Sequence, residues 1–348
     1  MKKLDIIREN SLYRSFINLI FYPIFNIFWE YIINLEAKFL YFYWKLKNNH
    51  KDTFELGKND SILIKNNFEF NNISKEISEN LSENIIKIKN KLLSEEFKKE
   101  CINKFGENHT DAILPYRISV WEYLDKNIRK KILQFASSTK MISTAANHMK
   151  IFPILTRVQV YYNIPRENSD LRGAMYWHKD TLGFKNLDFF MYISDVDENS
   201  GPFYFLKKQI KGSVFMHFKK MRPFNLSGER GKVDISEFSK YFPENDVEKM
   251  IGKSGTAAFL DSFSTFHRGG FCKSKDRIVL RFCYQSHDAS YETQVSNQKE
   301  YKFDNDLTYK NTKNLFYRYL FFKEKSKLMK YFSSMLLKVY WRLRYYVS

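Results

Sequence analysis

Residues 189–203, Phe189-Phe190-Met191-Tyr192-Ile193-Ser194-Asp195-Val196-Asp197-Glu198-Asn199-Ser200-Gly201-Pro202-Phe203, decide the fold class. An apolar, aromatic run of strand length is followed by a cluster of turn-forming residues and then by a second such run, Phe203 to Leu206. That is the texture of strand, turn and strand. The acidic group Asp195 to Glu198 could suggest a calcium loop, but the Gly-Pro behind it makes it a turn between two core strands. Outward from this segment the same texture recurs at Val158 to Ile164, Ala257 to Leu260 and Ile278 to Tyr284. Many short strands separated by turn residues suit a jelly roll, with helices that precede it covering one sheet.

The helices are expected upstream. Ile85, Ile86, Ile88, Leu92, Leu93 and Phe97 have three-to-four spacing within Ile77 to Phe105, and Leu124, Ile128, Ile132 and Leu133 within Trp121 to Phe135. At 348 residues the chain is long enough for two or three domains, or for one large domain with extensions. Its 44% hydrophobic content, with only 12 Gly and 7 Pro, excludes a disordered or low-complexity chain. Cys101, Cys272 and Cys283 are odd in number and show no C-x-x-C pairing, which excludes a disulfide framework and a cysteine zinc site and points to a reducing compartment.

The ends differ from the middle. Residues 16–35 carry 15 apolar residues of 20, with Asn18, Asn26, Glu30, Asn34 and Lys38 drawing a polar stripe along a helix that Pro23 kinks or restarts. Such a helix docks on the core or lies in a membrane interface rather than crossing a bilayer. Residues 48–75, rich in Asn and Lys, read as a polar linker or surface loop. The net charge is +18, and residues 310–348, with ten basic groups and one acidic group, hold half of it. From Asn314 a helix is expected with Lys323, Lys327, Lys330, Ser334, Lys338 and Arg342 on one side and Leu328, Phe332, Leu336, Tyr340 and Leu343 on the other. A basic face beside an aromatic one fits anionic lipid headgroups, and equally a helix packed on its own domain. Nucleic acid is disfavoured as a partner, because the basic groups gather on a tail with an apolar face. The expected division is 1–75 for the N-terminal helix and linker, 76–290 for the β domain with its supporting helices, and 291–348 for the basic tail.

The chemistry begins at Trp177-His178-Lys179-Asp180. In an extended chain residues i and i+2 project from one face, so the His178 imidazole and the Asp180 carboxylate converge. His267, in Phe266-His267-Arg268-Gly269-Gly270, supplies a third ligand 87 residues after Asp180. Two histidines and one carboxylate on a β scaffold form the facial triad of non-haem Fe(II) oxygenases, which keeps coordination positions open. Ten residues after His267, Arg277 opens the strand Arg277-Ile278-Val279-Leu280-Arg281-Phe282-Cys283-Tyr284. A cosubstrate that chelates iron at one end needs a cation for its far carboxylate, and arginine provides one bidentately. Arg277 is the first candidate; Arg281, on the same strand face, is the reserve. His50, His109, His148, His217 and His287 have no partner at ligand spacing and read as ordinary histidines.

These segments resemble the phytanoyl-CoA dioxygenase family of Fe(II)/2-oxoglutarate-dependent oxygenases. Trp177 to Asp180, Phe189 to Phe203, His267 to Gly270 and Arg277 carry the resemblance, which spans about residues 115–285. It implies a double-stranded β-helix, cupin-like core with N-terminal and C-terminal helical extensions. It also implies iron bound by His178, Asp180 and His267, 2-oxoglutarate bound through Arg277, and hydroxylation of a small-molecule or lipid-linked substrate with release of succinate and CO2. Related halogenases replace the carboxylate ligand with a small residue, so retention of Asp180 favours hydroxylation. One departure concerns the substrate mouth: where the family often has Pro-Gly-Ser-His, this chain has Leu206-Lys207-Lys208-Gln209. A cytoplasmic enzyme, with peripheral contact at the inner face of a membrane, is the resulting expectation. The alternative is a catalytically silent β domain that serves as a binding or scaffold protein at a membrane surface.

Overall fold

The computed structural model describes residues 35–48, 53–57, 61–105, 117–165, 173–180, 185–207 and 233–286, together with 316 and 320. Residues 16–34 and the basic stripe from Lys323 onward lie outside the described residues.

Two antiparallel sheets form the β core. The larger has six strands in the order β1 (Ser61–Ile64), β7 (Ala257–Leu260), β4 (Asn186–Tyr192), β9 (Arg277–Gln285), β3 (Ile154–Asn163) and β2 (Arg117–Ser119). The smaller is β6 (Val247–Met250), β5 (Phe203–Leu206) and β8 (His267–Arg268). Single bridges from His178 to His267 and from Trp177 to Val233 extend it. Facing sheets of this kind, with helices outside the larger one, form the jelly roll expected from the strand texture.

Strand alternation explains why the β domain needs both layers. On β4, Leu187, Phe189 and Met191 point outward, and on β9 Ile278, Leu280, Phe282 and Tyr284 do the same; all belong to one apolar cluster with the helices. The other face carries Asp188, Phe190 and Tyr192 opposite Cys283, Arg281 and Val279. One face is therefore core and the other is a site wall.

The covering helices are α2 (Phe68–Ser82), α3 (Ile85–Leu93), α4 (Glu95–Phe105), α5 (Lys126–Ala136) and α6 (Thr139–Met149). Phe70 from α2 and Phe135 from α5 meet Phe189 of β4 edge-on, with ring centroids 5.3 and 5.8 Å away, and Phe189 stacks on Phe282 at 5.3 Å. Phe189 is fully buried at this junction. Phe189→Ala is expected to destabilise the protein by ~3–5 kcal/mol, read as a lowered urea midpoint with an unchanged slope.

Three local readings are corrected. The stretch from Ile77 to Phe105, read as one helix, is divided among α2, α3 and α4: the chain turns at Asn84, whose N–H donates to Leu81 O at 2.9 Å, and Ser94 caps α4, accepting the Phe97 N–H at 3.1 Å. The segment from Trp121 to Phe135 starts as a short 3-10 turn, Trp121–Tyr123, and becomes α5 only after Asp125 takes an extended conformation. Residues 48–75, read as linker, contain β1 and the start of α2, which Asn67 caps by accepting the Phe70 N–H.

Ahead of the sheets, α1 (Leu35–Lys47) packs on the same core through Ala37, Leu40 and Trp44. The Trp44 indole N–H donates to Ser143 Oγ at 3.0 Å, and Phe316 meets the Trp44 ring at 4.9 Å. Phe316 and Leu320 are both buried.

Candidate metal centre

Backbone pairing brings the three proposed ligands together. His178 and His267 exchange N–H···O bonds of 3.0 and 2.9 Å, and the Asp180 N–H donates to Ser262 O at 2.8 Å. Two segments distant in sequence, 178–180 and 262–267, are thus held together by backbone hydrogen bonds. The ligating atoms of His178, Asp180 and His267 all lie within 4.8 Å of one another. His178 Nε2 is 3.8 Å from Asp180 Oδ1, and His267 Nε2 is 3.9 Å from Asp180 Oδ2.

The tautomers suit metal ligation. His178 Nδ1–H donates to Tyr176 O at 2.8 Å, and His267 Nδ1–H donates to Thr265 O at 3.1 Å. Each ring therefore turns its Nε2 lone pair toward the shared point. Burial, and His267 beside it, push the His178 imidazole down to about 4, and burial lowers His267 as well. Both rings are thus neutral near pH 7 and able to ligate. Burial pushes the Asp180 carboxyl up, but His267, Arg281 and His178 together outweigh it and hold it below the usual carboxylate range. With the imidazoles neutral, the permanent charge in that group is the Arg281 guanidinium. Lys179, between the two ligands, faces away, its ammonium 5.0 Å from the Phe266 ring centroid.

The two histidines open on a cavity of about 100 Å³ whose wall includes His178, His267, Phe190, Phe203, Val279 and Arg277. Arg277 and Arg281 both face it from β9, as strand alternation requires, but their surroundings differ. Arg281 Nη2 donates to Asp180 Oδ2 at 2.9 Å and to Asp188 Oδ2 at 2.6 Å. The reserve anchor is thus already engaged by two carboxylates at the metal end. Arg277 stands four residues along the strand, about 13 Å away at the usual rise. It is 8% exposed and, unlike Arg281, has no ion pair among the described residues, while the Nε of both arginines is without a hydrogen-bond partner there. A buried guanidinium in a cavity with no counter-ion among the described residues suits a bound carboxylate. The donor set fits Fe(II), and Arg277 fits the far end of 2-oxoglutarate.

The glycines of the two turn motifs have a packing reason. Gly201 has φ +69°, and a Cβ there would lie 2.5 Å from the Phe271 carbonyl carbon; at Gly270 it would lie 2.1 Å from Pro202 O. The Gly-Pro turn and the Gly-Gly segment after His267 cross too closely for side chains. The Asp195 to Glu198 cluster is paired to lysines, with Asp195 accepting from Lys253 at 2.7 Å and Glu198 from Lys249 at 2.8 Å. His148, read as an ordinary histidine, sits 3.3 Å from Asp261 Oδ2. Sequence reasoning missed Asp188: a lone carboxylate inside the run Leu187 to Tyr192 is a visible signal, since a charged group there needs a buried partner.

No protein-family model matches the chain, and no curated protein matches it. Among solved structures it is similar to EctD from S. alaskensis with bound Fe, at 10% identity and a TM-score of 0.42, covering 67% of this chain and 75% of that one. Similar too is EctD from S. alaskensis with 2-oxoglutarate and 5-hydroxyectoine, at 13% identity and a TM-score of 0.40, covering 67% and 74%. The non-heme alpha ketoglutarate dependent epimerase SnoN from nogalamycin biosynthesis is 14% identical with a TM-score of 0.34, covering 50% of this chain and 64% of that one. At this level of likeness the site's own residues carry the functional argument.

Proposed function

We propose that this protein is an Fe(II)- and 2-oxoglutarate-dependent oxygenase of the phytanoyl-CoA dioxygenase type, hydroxylating a C–H bond of a small-molecule or lipid-linked substrate. The observation that carries the reading is the convergence of His178, Asp180 and His267 beside a cavity that also holds Arg277, which has no ion pair among the described residues. A silent scaffold domain would have no need of three convergent ligands and a buried cation without a counter-ion among the described residues.

When bound, iron would activate O2, the oxidant, with 2-oxoglutarate supplying two of the electrons and leaving as succinate and CO2 and the substrate C–H bond supplying the other two. His178 and His267, fixed by their Nδ1–H donations, present Nε2 to the metal, and Asp180 supplies the negative charge. Arg277 takes the far carboxylate of the cosubstrate and so sets its direction in the cavity. Phe190, Phe203 and Val279 line the cavity with apolar surface. Succinate formation from 2-oxoglutarate, screened against lipid and metabolite extracts with and without Fe(II), tests the reading. Metal-dependent succinate that rises with one extract fraction supports it, and none with any fraction counts against it.

The reading extends to peripheral contact with an anionic membrane. Among the described residues no helix is long and apolar enough to cross one. Yet α1 exposes Leu35, Phe39, Phe42, Tyr43 and Leu46, five of the nine large apolar side chains that are exposed among the described residues, beside Lys45 and Lys47. Phe316 and Leu320 belong to the core, so charge reversal further along the tail is a cleaner test than deletion from Asn314. Replacing Lys323, Lys327 and Lys330 with Glu is expected to lower partition onto anionic vesicles by a hundredfold or more, at about 1 kcal/mol per lost charge. Equal, negligible co-sedimentation of the intact protein with anionic and neutral vesicles would end the membrane proposal.

A further inference from the structure

Arg281 donates through one nitrogen, Nη2, to two carboxylates, Asp180 at 2.9 Å and Asp188 at 2.6 Å. Asp188 lies on β4, is fully buried, and has Arg281 as its ion-pair partner among the described residues. The guanidinium also lies over the Phe190 ring, 5.1 Å from its centroid. Of the two Asp180 oxygens, Oδ2 is the one that Arg281 holds and lies 3.9 Å from His267 Nε2, while Oδ1 makes no contact with Arg281 and lies 3.8 Å from His178 Nε2.

We infer that Asp188 and Arg281 are positioning residues that hold Asp180 as a one-oxygen metal ligand. This rests on the oxygenase reading above. With Oδ2 accepting from a permanent cation, Oδ1 is left for the metal, and a carboxylate that spends one oxygen leaves positions open for cosubstrate and O2. Asp188 is needed because a guanidinium alone beside a carboxylate prefers the bidentate fork, which would engage both oxygens of Asp180 and compete with the metal. The second carboxylate draws the guanidinium back, so that Asp180 is oriented without being captured. Neither residue touches the reacting atoms; both act through Asp180.

The two variants are expected to act in opposite directions. In Asp188→Asn, Arg281 loses its counter-charge and turns wholly to Asp180, so Co(II), used as an air-stable probe, should bind about ten- to a hundredfold more weakly. In Arg281→Leu, a competing cation is gone and both oxygens of Asp180 are free. Co(II) should then bind at least as tightly as in the intact protein, with a changed visible absorption spectrum as the carboxylate takes a second position. Should Arg281→Leu not fold, Arg281→Lys keeps the charge and is expected to stay within about threefold of the parent affinity. The measurement is equilibrium Co(II) titration followed by visible absorption, with near-ultraviolet circular dichroism as the check on folding.

Opposite signs support the inference. Equal weakening in Asp188→Asn and Arg281→Leu with an unchanged spectrum, or Arg281→Lys as weak as Asp188→Asn, overturns it and makes the pair a structural brace. No change in any variant overturns it as well. Failure of the intact protein to bind Co(II) is a different result, which overturns the oxygenase reading on which the inference stands.

Discussion

Replacing Asp180 with alanine is expected to abolish iron binding while leaving a folded protein, and His178→Ala should do the same. Structural zinc sites, with apparent binding energies of ~10–16 kcal/mol shared among four ligands, put ~2.5–4 kcal/mol on each, and on that scale losing one ligand costs roughly a hundred- to a thousandfold in affinity. The fold should survive for a stated reason. The strand-type pairing of His178 with His267 uses backbone atoms, and Arg281 keeps Asp188 when Asp180 is removed. Iron stoichiometry on anaerobically loaded protein, beside a thermal melt, checks both halves. Undiminished iron in either variant would remove that residue from the ligand set.

The second large effect is expected at Arg277. Arg277→Leu should raise the 2-oxoglutarate requirement by tens to thousands of fold, because a buried cation lost from a carboxylate costs ~2–5 kcal/mol. Arg281→Leu should raise it far less, since that guanidinium is already engaged by Asp180 and Asp188. A stability measurement separates the anchor from a structural arginine. Arg277 has no ion pair among the described residues, so its loss removes an uncompensated buried charge, and the cosubstrate-free protein should melt at the same temperature or higher. If Arg281→Leu loses cosubstrate and Arg277→Leu does not, the anchor lies four residues, two strand repeats, further along β9.

Much of this site was legible in the residues because period-two alternation carries it. Arg277, Val279 and Arg281 share a face in any strand, and His178 with Asp180 does likewise in an extended chain, so these placements needed no tertiary information. Strand runs such as Phe203 to Leu206 and Ala257 to Leu260 agree in both limits with the observed strands for the same reason. What was not legible depended on partners. Ser61 to Ile64 is four residues long amid Asn and Lys, and it becomes a strand only because β7 offers a paired edge. Ser94 interrupts a helical pattern that its neighbours Leu92, Leu93 and Phe97 continue, because a cap is a local hydrogen bond and not a hydrophobic period. The division of labour between Arg277 and Arg281 could not be read from one strand. It depends on Asp188, which a neighbouring strand places against Arg281 and not against Arg277.

The same partner dependence governs α1. Ala37, Leu40 and Trp44 at helical spacing could have faced lipid as easily as protein; Ser143, Phe152 and Phe316 settle that face as core. The opposite face, with Phe39 72% exposed and Leu46 70% exposed, keeps the membrane proposal open to test.

The central claim is that one cavity binds both Fe(II) and 2-oxoglutarate, through the triad and Arg277 respectively. Anaerobic calorimetric titration of 2-oxoglutarate into the protein, with and without Fe(II), tests it most directly. The account predicts binding that requires the metal, is absent in Asp180→Ala, and is weakened by tens to thousands of fold in Arg277→Leu. Binding of 2-oxoglutarate that is indifferent to Fe(II) and unchanged in both variants, or no binding to the iron-loaded protein at all, would contradict it.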